Sequence, residues 1–214
     1  MRSFEWLDFV SLALAIRWTI LLSVIGMAGG AALGLCIALG RTAKNGILRT
    51  LCTLYIRIFQ STPLLMQLFL VYFGISIFGV SVDPLAAASI SLVLNAAAFL
   101  GDIWRGCIES VPRGQGEAAQ ALALKSWQRV TLVILPQAFN IAIPPTVVYI
   151  VQLIKNTSLA SIIGFVELTR TGQIINNATF QPFLVFSLVA AFYFALCWPI
   201  SWSSKKLERR VARR

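Results

Sequence analysis

Residues 18–40 read WTILLSVIGMAGGAALGLCIALG, a run of 23 residues without one charged side chain. A helix needs about 20 mostly apolar residues to cross the hydrocarbon core of a bilayer. Residues 58–80, 84–108, 130–154 and 182–202 form four more long, mostly apolar stretches. Because a helix pairs its own backbone polar groups in lipid, the sequence predicts an all-α integral membrane protein. Its five transmembrane helices would form a single domain, residues 1–214.

The composition excludes the soluble and the disordered classes of protein. Of the 214 residues, 58% are hydrophobic and 12% are charged, which is about half the charged share of an average soluble domain. A small soluble domain exposes too much surface to hide so many apolar side chains. The net charge of +10 would suggest nucleic-acid binding in a soluble protein, but membrane proteins concentrate basic residues in cytoplasmic loops. We therefore expect no nucleic-acid partner.

The basic residues set the expected orientation in the membrane. Of the 18 lysines and arginines, four lie in residues 41–57, four in residues 102–129 and six in the tail after residue 204. Since cytoplasmic loops are rich in these residues, the three segments are predicted to be cytoplasmic. With five spans, the N-terminus is then outside and the C-terminus inside. The basic tail either contacts anionic membrane lipid or is solvated.

Prolines interrupt two of the predicted spans. Pro63 follows Ser61 and Thr62 within the second span, and further prolines stand at 136, 144 and 145 in the fourth. A proline removes a backbone donor, and in lipid such a break is tolerated only where protein or a cavity covers it. Broken helices in transporters often mark binding sites, although a simple kink explains each proline equally well.

Small residues recur every four positions in the first span, at Gly26, Gly30, Gly34 and Ala38. On a helix they share one face and permit close approach of another helix. Packing within the chain is the favoured interpretation, with contact between two copies as the alternative.

The sequence lacks the residues of the common catalytic sites. It contains no histidine, so a serine or cysteine triad would lack its usual base. The four cysteines have no C-x-x-C spacing, which argues against a disulfide framework or a metal site. H-E-x-x-H and G-x-x-x-x-G-K-[ST] motifs are also missing from the sequence. We predict a chain that is not an enzyme and holds no metal or cofactor of its own, so a separate subunit would supply energy for uphill transport.

The long loop between spans three and four, residues 111–129, is predicted to contain a short cytoplasmic helix. Residues 111–130 read VPRGQGEAAQALALKSWQRV. Pro112 and two following glycines would end the preceding helix, and residues 117–123 are strong helix formers. Glu117 would then lie in the first turn, where the helix dipole favours an acid. Leu122 and Trp127 are more apolar than a solvated helix needs, so they either lie on the membrane or fill a partner's groove.

This loop resembles the EAA loop of ATP-binding cassette importer permeases. The resemblance rests on Glu117-Ala118-Ala119, on position 123 and on Ile134-Leu135-Pro136. Further segments, in the same order, are similar to the polar amino acid branch of that family: TPLLMQ at 62–67, PRGQ at 112–115, LPQA at 135–138, KNTSL at 155–159 and ELTR at 167–170. The similarity runs from about residue 18 to residue 202, most of the chain.

The resemblance implies a permease subunit in a bacterial inner membrane that translocates a polar amino acid or a close relative by alternating access. It implies three kinds of partner: an ATPase dimer that binds ATP and Mg, a second permease of the same or similar sequence, and an extracytoplasmic substrate-binding protein. The loop helix would couple the ATPase to the spans, with Glu117 orienting it and Ala118 and Ala119 allowing close approach. The full expected coupling set is Glu117, Ala118, Ala119, Leu122, Ala123, Lys125 and Trp127.

Three positions depart from the family's usual residues. Ala123 stands where glycine is usual, and docking is expected to survive because alanine favours a helix. Gln60 stands where arginine is usual before the TP pair, and Asn156 stands where aspartate is usual. Two charges are therefore missing near the expected pathway.

Polar groups within apolar spans are costly in lipid, which makes them candidates for the substrate pathway. The candidates are Gln60, Thr62, Pro63, Gln67, Asn95, Gln137, Asn140, Gln152, Lys155, Asn156, Thr157 and Ser158. For each one alone, a helix–helix hydrogen bond is the alternative. Asp102 and Arg105 are three apart and can pair; with Glu109 they are either structural or part of an inner gate. A channel or an ATP-independent secondary transporter for a small polar solute is the alternative function.

Overall fold

The computed structural model describes residues 2–43 and 45–211. These residues form helices, which we number in chain order: α1 Trp6–Thr42, α2 Gly46–Ser61, α3 Leu64–Phe69, α4 Pro84–Glu109, α5 Arg113–Ala121, α6 Ser126–Gln128, α7 Leu135–Asn156, α8 Leu168–Thr179 and α9 Pro182–Val211. Two π-helical segments, Leu70–Gly74 and Arg129–Ile134, extend α3 and join α6 to α7. A 3₁₀-helical segment, Thr157–Ile163, continues α7.

Four of the described helical segments are long and apolar enough to cross a membrane: Trp6–Thr42, Pro84–Glu109, Ser126–Ile163 and Pro182–Ser204. Gly46–Ser61 and Leu64–Gly74 pass the same test together, but they are bent by 102° at the break between them. The all-α fold with five spans is thus confirmed when the bent pair counts as one span.

The helices that contain the first two predicted spans begin before those spans. The first helix starts at Trp6 and includes residues 18–40, and α2, which leads into the second span, starts at Gly46. In both cases charged residues lie on the helix, Asp8 and Arg17 on α1 and Arg49 and Arg57 on α2. An uncharged run ends at such a residue. The helix continues through it where the helix extends beyond the hydrocarbon core. At 1.5 Å per residue α1 is about 55 Å long, well over the thickness of that core.

The small-residue face of α1 packs against α4. Ala96, Ala97 and Leu100 of α4 are fully buried against it. A Cβ atom added to Gly34 would lie 3.2 Å from the carbonyl oxygen of Ala97, and one added to Gly30 would overlap the Cβ of Ala96. The two backbones therefore touch, which only residues without side chains allow. Of the two interpretations of this face, the structure supports packing within the chain.

Charged side chains link the ends of α1 and α4 next to α5. Arg41 donates to Asp102 at 2.9 Å, and Arg105 donates to the same oxygen at 3.2 Å while also pairing with Glu109. The predicted pairing of Asp102 with Arg105 is confirmed. Arg113, Lys125 and Arg129 also lie at this end of the molecule, as the charge distribution of a cytoplasmic end requires.

A buried carboxyl group fixes the opposite end. Glu167 caps α8 by accepting from the backbone N–H of Arg170 at 2.9 Å, and the Tyr193 hydroxyl of α9 donates to its second oxygen at 2.9 Å. Thr19 of α1 lies 3.5 Å from that oxygen. Burial raises the pKa of Glu167 above its ordinary value, while the backbone N–H groups act in the opposite direction. One side chain thus joins α1, α8 and α9.

Gly30→Ala tests the backbone contact between α1 and α4. The added methyl group would overlap Ala96 and come within 3.3 Å of the α4 backbone, so the helices must separate. Overpacking of this kind costs about 1–3 kcal/mol, and we expect a lower midpoint of thermal unfolding for the purified protein in detergent. Gly106→Ala on α4 is the control, because no atom lies within 4 Å of its added Cβ. Equal midpoints for the two variants would contradict the packing described here.

Candidate functional site

Helix α5 presents a largely exposed surface at the end of the spans. It begins at Arg113 directly after Pro112 and ends at Ala121, so Glu117 lies in the middle of the helix. The expectation that Glu117 occupies the first turn was wrong, because Gly114 and Gly116 are helical and Pro112 precedes the helix start. Glu117 and Ala118 are exposed. Beyond the helix, Lys125 is exposed, and Leu122 and Trp127 expose 77% and 63% of their surface.

The inner face of α5 is fixed to the start of the fourth span. Ala119 is 3% exposed, so its small size serves packing within the chain, and only Ala118 of the pair faces outward. Arg129 donates to the side-chain oxygen of Gln120 at 3.3 Å, and Gln137 donates to that of Gln115 at 3.4 Å. These two hydrogen bonds connect α5 to the start of the fourth span.

Ala123 is not helical, and the reasoning that assigned it to the helix was wrong. Its φ is 57°, in the left-handed region. The N–H of Leu124 donates to the carbonyl of Ala119 at 3.1 Å, and the N–H of Ala123 donates to that of Gln120 at 2.9 Å. These two bonds define a Schellman motif, in which glycine is the usual residue at the left-handed position. The glycine usual here in the family is thus explained by backbone conformation.

The break in the second span is held by one buried glutamine. Gln67 is 7% exposed. Its side-chain nitrogen lies 2.8 Å from the carbonyl oxygen of Phe59 and 3.0 Å from that of Thr62, two groups that Pro63 and the bend leave without helical partners. Asn95 of α4 donates to the side-chain oxygen of Gln67 at 3.1 Å. The broken span is thereby tied to α4.

A cavity of about 310 Å³ opens beside this break. It lies between α2, α3, α4 and α7, and its walls combine aromatic rings with side-chain amides and a hydroxyl. The lining residues are Phe59, Thr62, Leu64, Asn95, Phe99, Tyr149, Gln152 and Asn156. None of these eight side chains carries a charge.

The structure brings only part of the predicted pathway set together. Thr62, Asn95, Gln152 and Asn156 line the cavity, and Gln67 supports it from behind Asn95. The remaining candidates lie outside its lining: Gln60, Pro63, Gln137, Asn140, Lys155, Thr157 and Ser158. Their roles differ, since the hydroxyls of Thr157 and Ser158 bond backbone carbonyls of their own helical segment and Lys155 is exposed.

Sequence reasoning missed the aromatic walls of the cavity. Phe59, Phe99 and Tyr149 resemble ordinary apolar span residues, and nothing in their spacing places them together. Of these three residues, only Tyr149 could have been singled out from the sequence, because a tyrosine hydroxyl inside a span needs a hydrogen-bond partner.

A larger groove of about 550 Å³ lies between α1, α4 and α7, but its chemistry is different. Its hydroxyl group, on Thr146, already accepts from the Trp104 indole N–H at 2.9 Å and donates to the carbonyl of Ala142 at 2.7 Å. The hydroxyl has no donor left for a polar solute and the other lining side chains are apolar apart from the Trp104 indole N–H, which is already bonded, so the smaller cavity is the better candidate for a polar substrate.

The sequence profile of the "binding-protein-dependent transport system inner membrane component" family matches residues 30–213. The chain belongs to this family. It is therefore a multi-pass permease of the inner membrane and a component of an ATP-binding cassette importer.

Individual relatives of the permease agree with this assignment. It is 34% identical over 197 residues to the glutamine transport system permease protein GlnP of Escherichia coli, covering 91% of this chain and 90% of the relative. It is 38% identical over 199 residues to the L-cystine transport system permease protein TcyB of Bacillus subtilis, covering 92% and 85%.

Solved structures share the fold of the permease. A chain in the crystal structure of an amino acid ABC transporter with histidines matches with a TM-score of 0.90 and 30% identity, covering 98% of this chain and 100% of that one. A chain of the MetNI methionine ABC transporter, at 21% identity and a TM-score of 0.74, shows the same fold.

Replacing Ala123 tests the Schellman motif at the end of α5. The left-handed conformation costs a residue with a side chain about 1–2 kcal/mol, part of which glycine's larger unfolded-state entropy offsets. We expect Ala123→Gly to slow hydrogen exchange of the α5 amides. Ala118→Gly, in the middle of the helix, should accelerate exchange, since glycine costs about 1 kcal/mol there. Changes in the same direction for both variants would rule out the role assigned to position 123.

Gln67→Leu tests the support of the broken span. The change removes the donor that pairs with the carbonyls of Phe59 and Thr62, and an unpaired polar group costs about 1–3 kcal/mol where water does not reach it. We expect a lower midpoint of thermal unfolding and reduced uptake in cells. Ser76→Ala is the control, because this exposed hydroxyl bonds only the Tyr72 carbonyl of its own helical segment. A Gln67→Leu protein as stable as wild type would show that the amide does not support the break.

Proposed function

We propose that this permease carries a polar amino acid across the inner membrane by alternating access, driven by ATP hydrolysis on separate subunits. The observation that carries the proposal is the exposed surface of α5, whose inner face is fixed to the fourth span. Relatives whose names specify glutamine and L-cystine transport support the substrate class.

The coupling step begins at the exposed side of α5. Glu117, Ala118 and the apolar side chains of Leu122 and Trp127 would dock in a cleft of an ATPase subunit, with Lys125 at the edge. ATP and Mg would be bound by the ATPase dimer, and this chain would perform no hydrolysis. Closure of the ATPases would carry α5 with them as a rigid body.

The movement of α5 reaches the substrate cavity through two routes. Gln120 and Gln115 connect α5 to the fourth span, which carries Tyr149, Gln152 and Asn156. The short connection after Glu109 links α5 to α4, which carries Asn95 and Phe99. Because both walls of the cavity continue into segments attached to α5, a displacement of α5 would act on both walls.

Two further partners complete the proposed importer. A second permease, identical or similar, would pair with this one, and an extracytoplasmic substrate-binding protein would deliver the amino acid at the end opposite α5. Among the pathway candidates, those that line or support the cavity, Thr62, Gln67, Asn95, Gln152 and Asn156, would contact or position the substrate. Gln60 and Lys155, which lie outside the lining, would act before the substrate enters the cavity or after it leaves.

Glu117→Arg tests the coupling role of α5. The side chain is exposed, so the change leaves the fold intact while reversing a charge in the proposed interface. We expect the ATPase to be depleted from complexes purified from gently solubilised membranes. Uptake of amino acid should fall about tenfold, which corresponds to 1.4 kcal/mol of docking energy.

Glu5→Arg is the matched control, since it makes the same charge change on an exposed residue at the opposite end of the molecule. Unchanged uptake and ATPase recovery for Glu117→Arg, at equal protein level, would count against the coupling role. Solute flux through the purified permease without an ATPase would instead identify a channel or a secondary transporter.

A further inference from the structure

Helix α2 has three distinct faces, and one of them packs inside the protein. On that face Ile56 is buried, and Tyr55 and Phe59 are half-buried beside it. A second face is exposed and purely apolar, which suits contact with the hydrocarbon of the membrane. It is formed by Ile47, Leu51, Leu54 and Ile58.

The third face of α2 is polar along its whole length. Its members recur at three- and four-residue spacing or are neighbours, so they lie on one side of a helix with 3.6 residues per turn. Thr53 is half-buried, and the other members are exposed. We call this the polar face, and it consists of Arg49, Thr50, Thr53, Arg57, Gln60 and Ser61.

The polar face connects the cytoplasmic end of the molecule with the middle of the membrane. Helix α2 begins shortly after α1 ends at Thr42, beside the charged side chains that link α1 to α4. Further along, the Tyr55 hydroxyl donates to the carbonyl of Leu94 at 2.8 Å, near the middle of the span α4. The polar face ends at Ser61, directly before Thr62, which lines the cavity. It therefore forms a polar strip from the cavity to the cytoplasmic end.

Two arginines give this strip a positive charge. Helix α2 contains no acidic residue, and neither Arg49 nor Arg57 forms an ion pair with another described side chain, whereas Arg41 and Arg105 both pair with Asp102. Unpaired charges within a span face the protein interior or a water-filled space, because they are costly in lipid. Since the neighbouring face of the same helix is purely apolar, the polar face is the one suited to water.

A carboxylate is the group that this strip is suited to meet. Guanidinium groups bind carboxylates through charge-assisted hydrogen bonds, and a surface lined by one sign of charge raises the local concentration of the opposite sign. Exposed guanidinium groups hold an anion only weakly, because water competes with it. Arg57 and Arg49 would thus attract a carboxylate and also release it, which a route requires.

We propose that the polar face of α2 forms one wall of a water-filled route from the cavity to the cytoplasm, and that Arg57 and Arg49 meet the carboxylate of the departing amino acid there. The inference rests on the proposed function and adds to it an exit route and the sign of its charge. The apolar face of the same helix lies against lipid.

The first test is the rate of thiol modification in inverted inner-membrane vesicles that contain the whole transporter, without ATP. The four native cysteines are replaced by alanine, and one cysteine is introduced, as Thr53→Cys on the polar face or as Leu54→Cys on the apolar face. The probes are an anionic and a cationic methanethiosulfonate, and each rate is divided by that of a small thiol in solution. We expect Thr53→Cys to react about tenfold faster than Leu54→Cys, and to prefer the anionic probe about tenfold.

Removal of the arginines separates charge from access in this assay. Arg49→Gln together with Arg57→Gln in the Thr53→Cys chain should abolish the preference for the anionic probe. The cysteine on the polar face should still react faster than the one on the apolar face, because the route stays filled with water.

The second test measures uptake with the native cysteines in place. Arg57→Glu should lower amino acid uptake about tenfold, because a negative charge then repels the carboxylate. The side chain is exposed, so the midpoint of thermal unfolding and the recovery of the ATPase should not change. Arg57→Lys is the matched control, since it retains the charge and should retain most of the uptake.

The outcomes distinguish this inference from the function on which it rests. Equal rates at the two introduced cysteines, or equal relative rates of the two probes at Thr53→Cys, would overturn the inference while the importer function stands. An Arg57→Glu permease that transports as fast as wild type would do the same. Absence of ATP-dependent uptake of any amino acid by the assembled wild-type transporter would overturn the proposed function itself.

Discussion

The direct backbone contact between α1 and α4 is the constraint on which the other features depend. Gly30 and Gly34 let α4 approach so closely that a single methyl group would separate the two helices. Helix α4 then carries Asn95 and Phe99 into the cavity and leads, after Ser110, directly into α5. The longest of the described helices thus fixes a helix that lines the cavity and leads into α5.

The 102° bend after Ser61 is the second requirement, because it exposes backbone groups within a span. In lipid these groups must be paired inside the protein, and Gln67 pairs the carbonyls of Phe59 and Thr62. The same glutamine is held by Asn95, whose other side faces the cavity. The hydrogen-bonded pair of Gln67 and Asn95 therefore supports the break and also contributes a polar side chain to the wall of the cavity.

The two ends of the molecule are stabilised by different chemistry. At the α5 end, Arg41, Asp102, Arg105 and Glu109 form a partly exposed chain of charges between α1 and α4. At the opposite end a single buried Glu167 joins three helices through hydroxyl and backbone N–H groups. Exposed charge pairs exchange partners at little cost, whereas a buried carboxyl group needs all its donors.

The sequence alone determined the membrane class, the number of spans, the loop helix and the family, because apolar length and motif order are local properties of the chain. Helices α1 and α2 begin before the predicted spans to which they belong, since charged residues on a long or amphipathic helix look like loop residues. Only the tertiary structure showed that Ala123 is left-handed, that Ala119 faces inward and that Gln137 bonds Gln115 of α5. It alone brought Phe59, Asn95 and Tyr149 together into one uncharged cavity, because such a site depends on how four helices pack and not on the spacing of residues along any one of them.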